Sequence, residues 1–112
     1  MSKEFILAMN KFFHDREWEK FHSPKNLVMD MGSEVGELLD HFRWLTEEES
    51  YHPEKIQEIK DEIGDIFIVL HNFAGKLGID PLVAAKEKLV KMEKRYPVAL
   101  SKGSSRKYTE FE

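Results

Sequence analysis

Hydrophobic side chains recur at intervals of three and four residues in four successive stretches of the chain. This spacing places them on one face of a helix, and no stretch shows the alternating pattern of a β-strand. The first stretch covers about residues 3–20, and the third and longest runs from Pro53 to Gly78. In the second stretch the apolar positions are Val28, Met31, Val35, Leu38, Phe42 and Leu45. The pattern predicts an all-α protein.

Capping residues and prolines mark the ends of these helices. Ser23 before Pro24, and Asp80 before Pro81, combine a side-chain cap with a proline suited to the first helical position. Because the connections are short, we expect the second and third helices to be antiparallel neighbours. At 112 residues, the sequence predicts one domain, 1–112, folded as a four-helix bundle with antiparallel core helices and an irregular tail, 98–112.

Acidic residues repeat beside the apolar positions of the second and third helices. The sequences EVGE, Glu34 to Glu37, and EIGD, Glu62 to Asp65, each place two acids on one helix face. Four carboxylates facing each other would repel, and a hard divalent cation would remove that repulsion. The pattern therefore predicts an Mg²⁺ site, with Mn²⁺ as a possible substitute. Gly36 and Gly64 suggest a close approach of backbone or ligand. The alternative is a solvated acidic face paired with lysines.

Composition narrows the remaining function classes. The chain has no cysteine, which excludes disulfides and thiolate metal sites. Its net charge of −4 disfavours nucleic acid as a partner. A di-iron bundle requires Glu-x-x-His on core helices, and the spacing at Glu49 and His52 falls in a connection, which disfavours iron. With no apolar run of membrane-spanning length, we expect no membrane partner and a cytoplasmic location.

The acidic pairs belong to a longer ordered series of motifs. The stretches REWEKFHSPKNL, EVGELLDHFRW, DEIGD and KRYPVALSKGSSRKYTEF together resemble the MazG-like all-α NTP pyrophosphohydrolases, in particular their dCTP-pyrophosphatase branch. The resemblance implies Mg²⁺ bound by Glu34, Glu37, Glu62 and Asp65, which would also be the catalytic residues. It further implies a base pocket containing Trp18 and Trp44, and a homotetramer with a homodimer as the minimum.

Further residues are candidates for substrate binding. Trp44, seven residues after Glu37, would lie about 10 Å along a continuous helix from it, a suitable distance between phosphates and base. His41 is one turn from Glu37 and could contact substrate or lie on the surface. His22 and Asn26 flank a helix start, where capping competes with pocket lining. The cations expected to contact the outer phosphates are Lys25, Arg106 and Lys107.

The resemblance implies hydrolysis of a nucleoside triphosphate between its α and β phosphates, and we expect Glu34 or Glu37 to orient or deprotonate the water. The expected substrate is dCTP or a modified dCTP, and the expected role is clearance of surplus or noncanonical nucleotides. Met9 and Met92 depart from the dCTP branch, where a histidine and an asparagine are expected. The alternatives are therefore the same chemistry on dUTP or a broad set of dNTPs, or a non-catalytic nucleotide-binding bundle.

Overall fold

The computed structural model describes residues 3–105, all of whose regular structure is helical. The α-helices are α1 (Lys3–Asp15), α2 (Pro24–Asp40), α3 (Ile56–Lys76), α4 (Pro81–Arg95) and α5 (Val98–Ser101). Two short 3-10 turns, Glu19–Phe21 and Glu49–Tyr51, lie in the connections on either side of α2. The prediction of an all-α protein is confirmed. Two compact units are present: α1 to α3, up to Ile79, form one, and α4 with α5 lies in the other.

Helices α2 and α3 form the principal packing pair of the first unit. His22, just before α2, contacts Asn72 near the end of α3, so the two helices run antiparallel. Helix α1 packs beside them: its Phe5 ring lies 5.5 Å from that of Phe67 on α3. Phe13 lies 4.6 Å from the ring of His22.

The buried face of this pair differs from the one that the apolar pattern predicts. Leu27 and Val69, on the same stripes as the acids, are 3% and 6% exposed. Val35 and Ile63, central in the predicted apolar seams, are 49% and 56% exposed. The acids therefore lie along the α2–α3 contact, and part of the apolar face of each helix remains uncovered in this chain.

Helix α1 ends at Asp15, five residues before its predicted end. The backbone N–H of Glu17 donates to the carbonyl of His14, and that of Trp18 donates to the carbonyl of Phe13, both at 3.0 Å. These two bonds form a Schellman motif, which requires a left-handed residue after the helix. Glu17 occupies that position with φ +55°. The sequence did not predict this helix end, because glycine usually occupies the left-handed position and here the residue is glutamate.

The other helix ends combine confirmed caps with shifted boundaries. Ser23 Oγ accepts from Asn26 N–H at 3.1 Å, and an Asp80 carboxylate oxygen accepts from Leu82 N–H at 2.9 Å, as predicted. The apolar pattern predicted that α2 would extend to Leu45, but the helix ends at Asp40. After Asp40 the backbone forms successive turns instead of a continuous helix. Helix α3 begins at Ile56 rather than at Pro53. Within the tail predicted to be irregular, residues 98–101 form α5.

Candidate metal centre

Acidic side chains from α2 and α3 converge midway along the helix pair. One carboxylate oxygen from each of Glu34, Glu62 and Asp65 can be chosen so that all three lie within 4.8 Å of one another. Glu34 and Glu62 are partly buried, whereas Asp65 is exposed. Glu37, also exposed, lies outside this set of three but is close enough to contribute to raising the pKa of both Glu34 and Glu62. The geometry brings together three of the four acids of the predicted site, with Glu37 beside them.

Burial and mutual repulsion make this cluster costly to ionise. Burial, followed by the charges of Asp65 and Glu37, raises the pKa of Glu34 to about 7. Burial also raises the pKa of Glu62, and its hydrogen bond with Glu37 adds to the effect. A raised carboxyl pKa means that the folded protein favours the neutral form. Metal-free, the cluster therefore holds fewer negative charges near neutral pH than four isolated acids would.

Two buried oxygen atoms in the cluster lack hydrogen-bond partners. Glu34 Oε2 and Glu62 Oε2 are inaccessible to solvent and receive no donor from the described residues. Buried polar atoms are ordinarily satisfied, and unsatisfied ones often mark the place of an ion or water. Carboxylate oxygens are the donors that Mg²⁺ and Mn²⁺ prefer. The residues present therefore fit a hard divalent cation.

A cavity of about 130 Å³ opens beside the acids, between α2 and α3. Its walls include Glu34 and Asp65 at one end and His22 and Asn72 at the other. Asp30 lies between them on the α2 side. Of the predicted substrate-binding residues within 3–105, His22 is the one that lines this cavity.

The two tryptophans predicted for the base pocket lie elsewhere on this chain. Trp18 is 43% exposed and packs edge-on against Phe12, with 5.7 Å between ring centres. Trp44 is 83% exposed and lies beyond the end of α2, with the Arg43 guanidinium 4.8 Å from its ring centre. The helical distance from Glu37 to Trp44 therefore does not apply, because α2 ends before Trp44.

The remaining candidates have diverse surroundings. The side chain of Asn26 donates a hydrogen bond to the Phe21 carbonyl at 3.1 Å and so stabilises the turn before α2. His41 lines a separate cavity of about 510 Å³ near the α2–α3 connection. Lys25 is exposed in the first turn of α2. The two tail candidates, Arg106 and Lys107, lie outside the described residues.

Within the described residues, no backbone makes the close approach to the two helix glycines that was one of the two possibilities suggested by the sequence. A side-chain carbon built at Gly36 or Gly64 meets no atom within 4 Å. The space beside each glycine is therefore open in this chain.

Asn72 lies in this region, but the sequence did not predict a role for it. It continues the stripe of Glu62, Asp65 and Val69 and is only 7% exposed. Its amide nitrogen lies 3.0 Å from His22 Nδ1. The sequence did contain a signal for Asn72, which lies two turns beyond Asp65 on the same stripe. A polar side chain buried at such a position needs a hydrogen-bond partner.

Comparison with known proteins identifies the family of this chain. The MazG-like family profile matches residues 31–111, which include all four acids. The chain therefore belongs to the MazG-like family. Among the described residues, no single helix is long and apolar enough to cross a membrane.

Individual proteins of known name are also similar to this chain. Human dCTP pyrophosphatase 1 is 36% identical over 104 residues, an alignment covering 89% of this chain and 61% of that protein. The Bos taurus dCTP pyrophosphatase 1 is 38% identical, with 89% and 62% covered. The chain thus spans about three fifths of the length of these relatives. The crystal structure of a pyrophosphatase from Archaeoglobus fulgidus superposes with a TM-score of 0.82 at 34% identity, covering 85% of this chain and 91% of that one.

Proposed function

We propose that this chain is a Mg²⁺-dependent nucleoside triphosphate pyrophosphohydrolase, with residues 1–112 acting as one domain. It would cleave a deoxynucleoside triphosphate between the α and β phosphates, with dCTP or a modified dCTP as substrate. The observation that carries the proposal is the convergence of Glu34, Glu62 and Asp65 within 4.8 Å. Support also comes from relatives that are named dCTP pyrophosphatase and pyrophosphatase.

The acids divide the work according to their positions. Glu34, Glu62 and Asp65 would hold the cation, and Glu37 would complete the set from the exposed edge. A bound Mg²⁺ would supply charge neutralisation for the phosphates and the leaving pyrophosphate. Glu37, with more freedom to move at the exposed edge, would orient and deprotonate the attacking water. The proposed mechanism thus relies on positioning and charge, without a covalent intermediate.

The remaining contacts follow from charge and ring chemistry. Lys25, together with Arg106 and Lys107, is proposed to bind the outer phosphates. Trp18 and Trp44 are proposed to stack against the base, as exposed aromatic rings commonly do in nucleotide sites. His41 lines a different cavity from the acids and is proposed only as a peripheral contact.

Assembly into a homotetramer, with a homodimer as the minimum, is part of the proposal. Exposed apolar residues on α2 and α3, such as Val35 and Ile63, support it, because large uncovered apolar faces usually mark interfaces. A second copy packed on these faces could also bring Trp44 to a neighbouring site. Light scattering after size-exclusion chromatography measures the assembly directly.

Product analysis tests the proposed reaction. Purified protein is incubated with each of dCTP, 5-methyl-dCTP, dUTP, dATP, dGTP and dTTP, with Mg²⁺ or with EDTA, and products are separated by ion exchange. We expect monophosphate and pyrophosphate only with Mg²⁺, and fastest from the cytosine nucleotides. A faster reaction with dUTP or a uniform set would replace the substrate but keep the chemistry. Binding without hydrolysis would contradict the proposed activity.

Variants connect that activity to the cluster. Glu62→Gln removes one ligand charge while preserving shape and should abolish release of pyrophosphate. Glu87→Gln makes the same chemical change at an exposed position on α4 and serves as the matched control. Equal activity in the two variants would remove the acids from the reaction.

A further inference from the structure

A part-buried amide–imidazole pair lies at the end of the cavity opposite the acids. The side-chain nitrogen of Asn72 is 3.0 Å from Nδ1 of His22. Asn72 is 7% exposed, and the His22 ring packs edge-on against Phe13 with 4.6 Å between ring centres. Packing therefore fixes both partners, and both line the cavity that contains Glu34 and Asp65.

The hydrogen bond determines which ring nitrogen carries the proton. The amide nitrogen of Asn72 can only donate, so Nδ1 of His22 must accept and carry no hydrogen. The proton of the neutral ring then lies on Nε2, which has no hydrogen-bond partner among the described residues. Burial lowers the pKa of His22, and Lys76 lowers it further, against opposing contributions from Asp30 and Glu19. The ring is thus held neutral, with one outward donor.

Position along the helices indicates which part of a substrate this donor would meet. Asn72 follows Asp65 by seven residues, which corresponds to about 10 Å along α3. Phosphates held at the acids would therefore lie toward the other end of the cavity from the imidazole. The nucleoside, which extends from the α phosphate, would reach this end of the cavity. A neutral N–H donor is also better matched to an uncharged oxygen acceptor than to a charged phosphate oxygen.

We propose that Asn72 is a positioning residue that holds His22 with its Nε2–H directed to an oxygen of the substrate's nucleoside. The acceptor is either a base carbonyl or a pentose oxygen. This inference rests on the proposed function, because the acids define where the phosphates bind. It assigns Asn72 a part in affinity for the nucleoside rather than in the chemical step.

Nitrogen NMR of the histidine ring tests the pair without any substrate. Comparison with a His22→Gln variant assigns the His22 signals among the five histidines. We expect a single neutral form with the proton on Nε2, and a mixture of forms after Asn72→Leu. A proton on Nδ1 in the unmodified protein would overturn the inference, whether or not the protein hydrolyses nucleotides.

Kinetics with Mg²⁺ and dCTP then test the consequence. Loss of one hydrogen bond in Asn72→Leu should raise KM about threefold to tenfold, with kcat nearly unchanged. The matched control, Asn10→Leu, makes the same substitution at an exposed position on α1 and should leave both constants unchanged. A fall in kcat at constant KM would overturn the proposed role in nucleoside affinity.

A double variant separates positioning from general packing. Glutamine at position 22 places an amide donor near the former Nε2 without needing a particular tautomer. In the His22→Gln background, Asn72→Leu should therefore have little further effect on KM. Additive effects would overturn the coupling.

Competition by different nucleotides identifies the acceptor. Adenine has no carbonyl, so if the base carbonyl accepts, Asn72→Leu should weaken inhibition by dUTP but not by dATP. If a pentose oxygen accepts, both should weaken equally, and no weakening of either would refute the contact. Complete absence of Mg²⁺-dependent hydrolysis by the unmodified protein would instead refute the proposed function, a result that the ring NMR does not share.

Discussion

Replacing Glu34 by glutamine should stabilise the metal-free protein at pH 8 and leave its stability almost unchanged at pH 4. Glu34 is partly buried between Glu62 and Asp65, and its pKa is raised from 4.5 to about 7. Below pH 4.5 the group is protonated in both folded and unfolded chains, so it causes no difference. As the pH rises from 4.5 to about 7, the folded protein loses stability relative to the unfolded chain, in which Glu34 ionises freely, and the loss levels off above pH 7.

The magnitude follows from the size of that change. A pKa rise of one is equivalent to about 1.4 kcal/mol, so the rise of Glu34 gives an upper value of about 3 kcal/mol. Solvent screening at a partly buried position reduces the expected gain to about 1 to 2 kcal/mol. Glutamine keeps the shape and removes the charge, so most of the gain should appear at pH 8.

Urea unfolding at fixed protein concentration, in EDTA, measures the free energy of unfolding at both pH values. The exposed Glu87→Gln change controls for the loss of one negative charge and should shift stability by less than about 0.5 kcal/mol. Destabilisation by Glu34→Gln at pH 8, or an equal effect at both pH values, would refute the electrostatic reasoning.

Three further predictions concern the cation and the helix ends. Mg²⁺ at about 100 times its Kd should raise the free energy of unfolding by about 2.7 kcal/mol, an increase that Glu62→Gln should lose; an equal increase in both proteins would place the ion elsewhere. Glu17→Gly should stabilise the protein by about 0.5 to 1 kcal/mol in urea unfolding, since Glu17 has φ +55°, whereas Gly78→Ala, at φ +69°, should destabilise it by a similar amount. Destabilisation by Glu17→Gly, or stabilisation by Gly78→Ala, would contradict a left-handed cap at that position. Ser23→Ala should cost about 1 kcal/mol in the same assay through loss of the bond to Asn26 N–H; an unchanged stability would show that the cap contributes nothing.

The sequence predicted helices α1 to α4, and the starts of α2 and α4, because those features depend on local chemistry. Apolar spacing identified α1 to α4, and the side chains of Ser23 and Asp80 cap α2 and α4 as expected. The end of α1 was missed because Glu17 takes a left-handed conformation that glycine normally signals. The position of Trp44 was missed because the apolar pattern continues past the end of α2.

The acid cluster was predictable because its spacing is short and repeated on two helices. The choice of buried face was not, because it depends on what packs against each helix. Val35 and Ile63 resemble core residues in the sequence, yet each is about half exposed in this chain. The role of Asn72 required the structure, since its partner His22 is 50 residues away in sequence.

Crystals grown with Mn²⁺ test the central claim most directly, because the ion's anomalous signal locates it independently of the refined coordinates. We expect a peak coordinated by oxygen atoms of Glu34, Glu62 and Asp65, and no such peak in crystals of Glu62→Gln. Carboxylates turned into solvent with no peak between them, at a Mn²⁺ concentration that supports hydrolysis, would contradict the assignment of these acids as the metal centre.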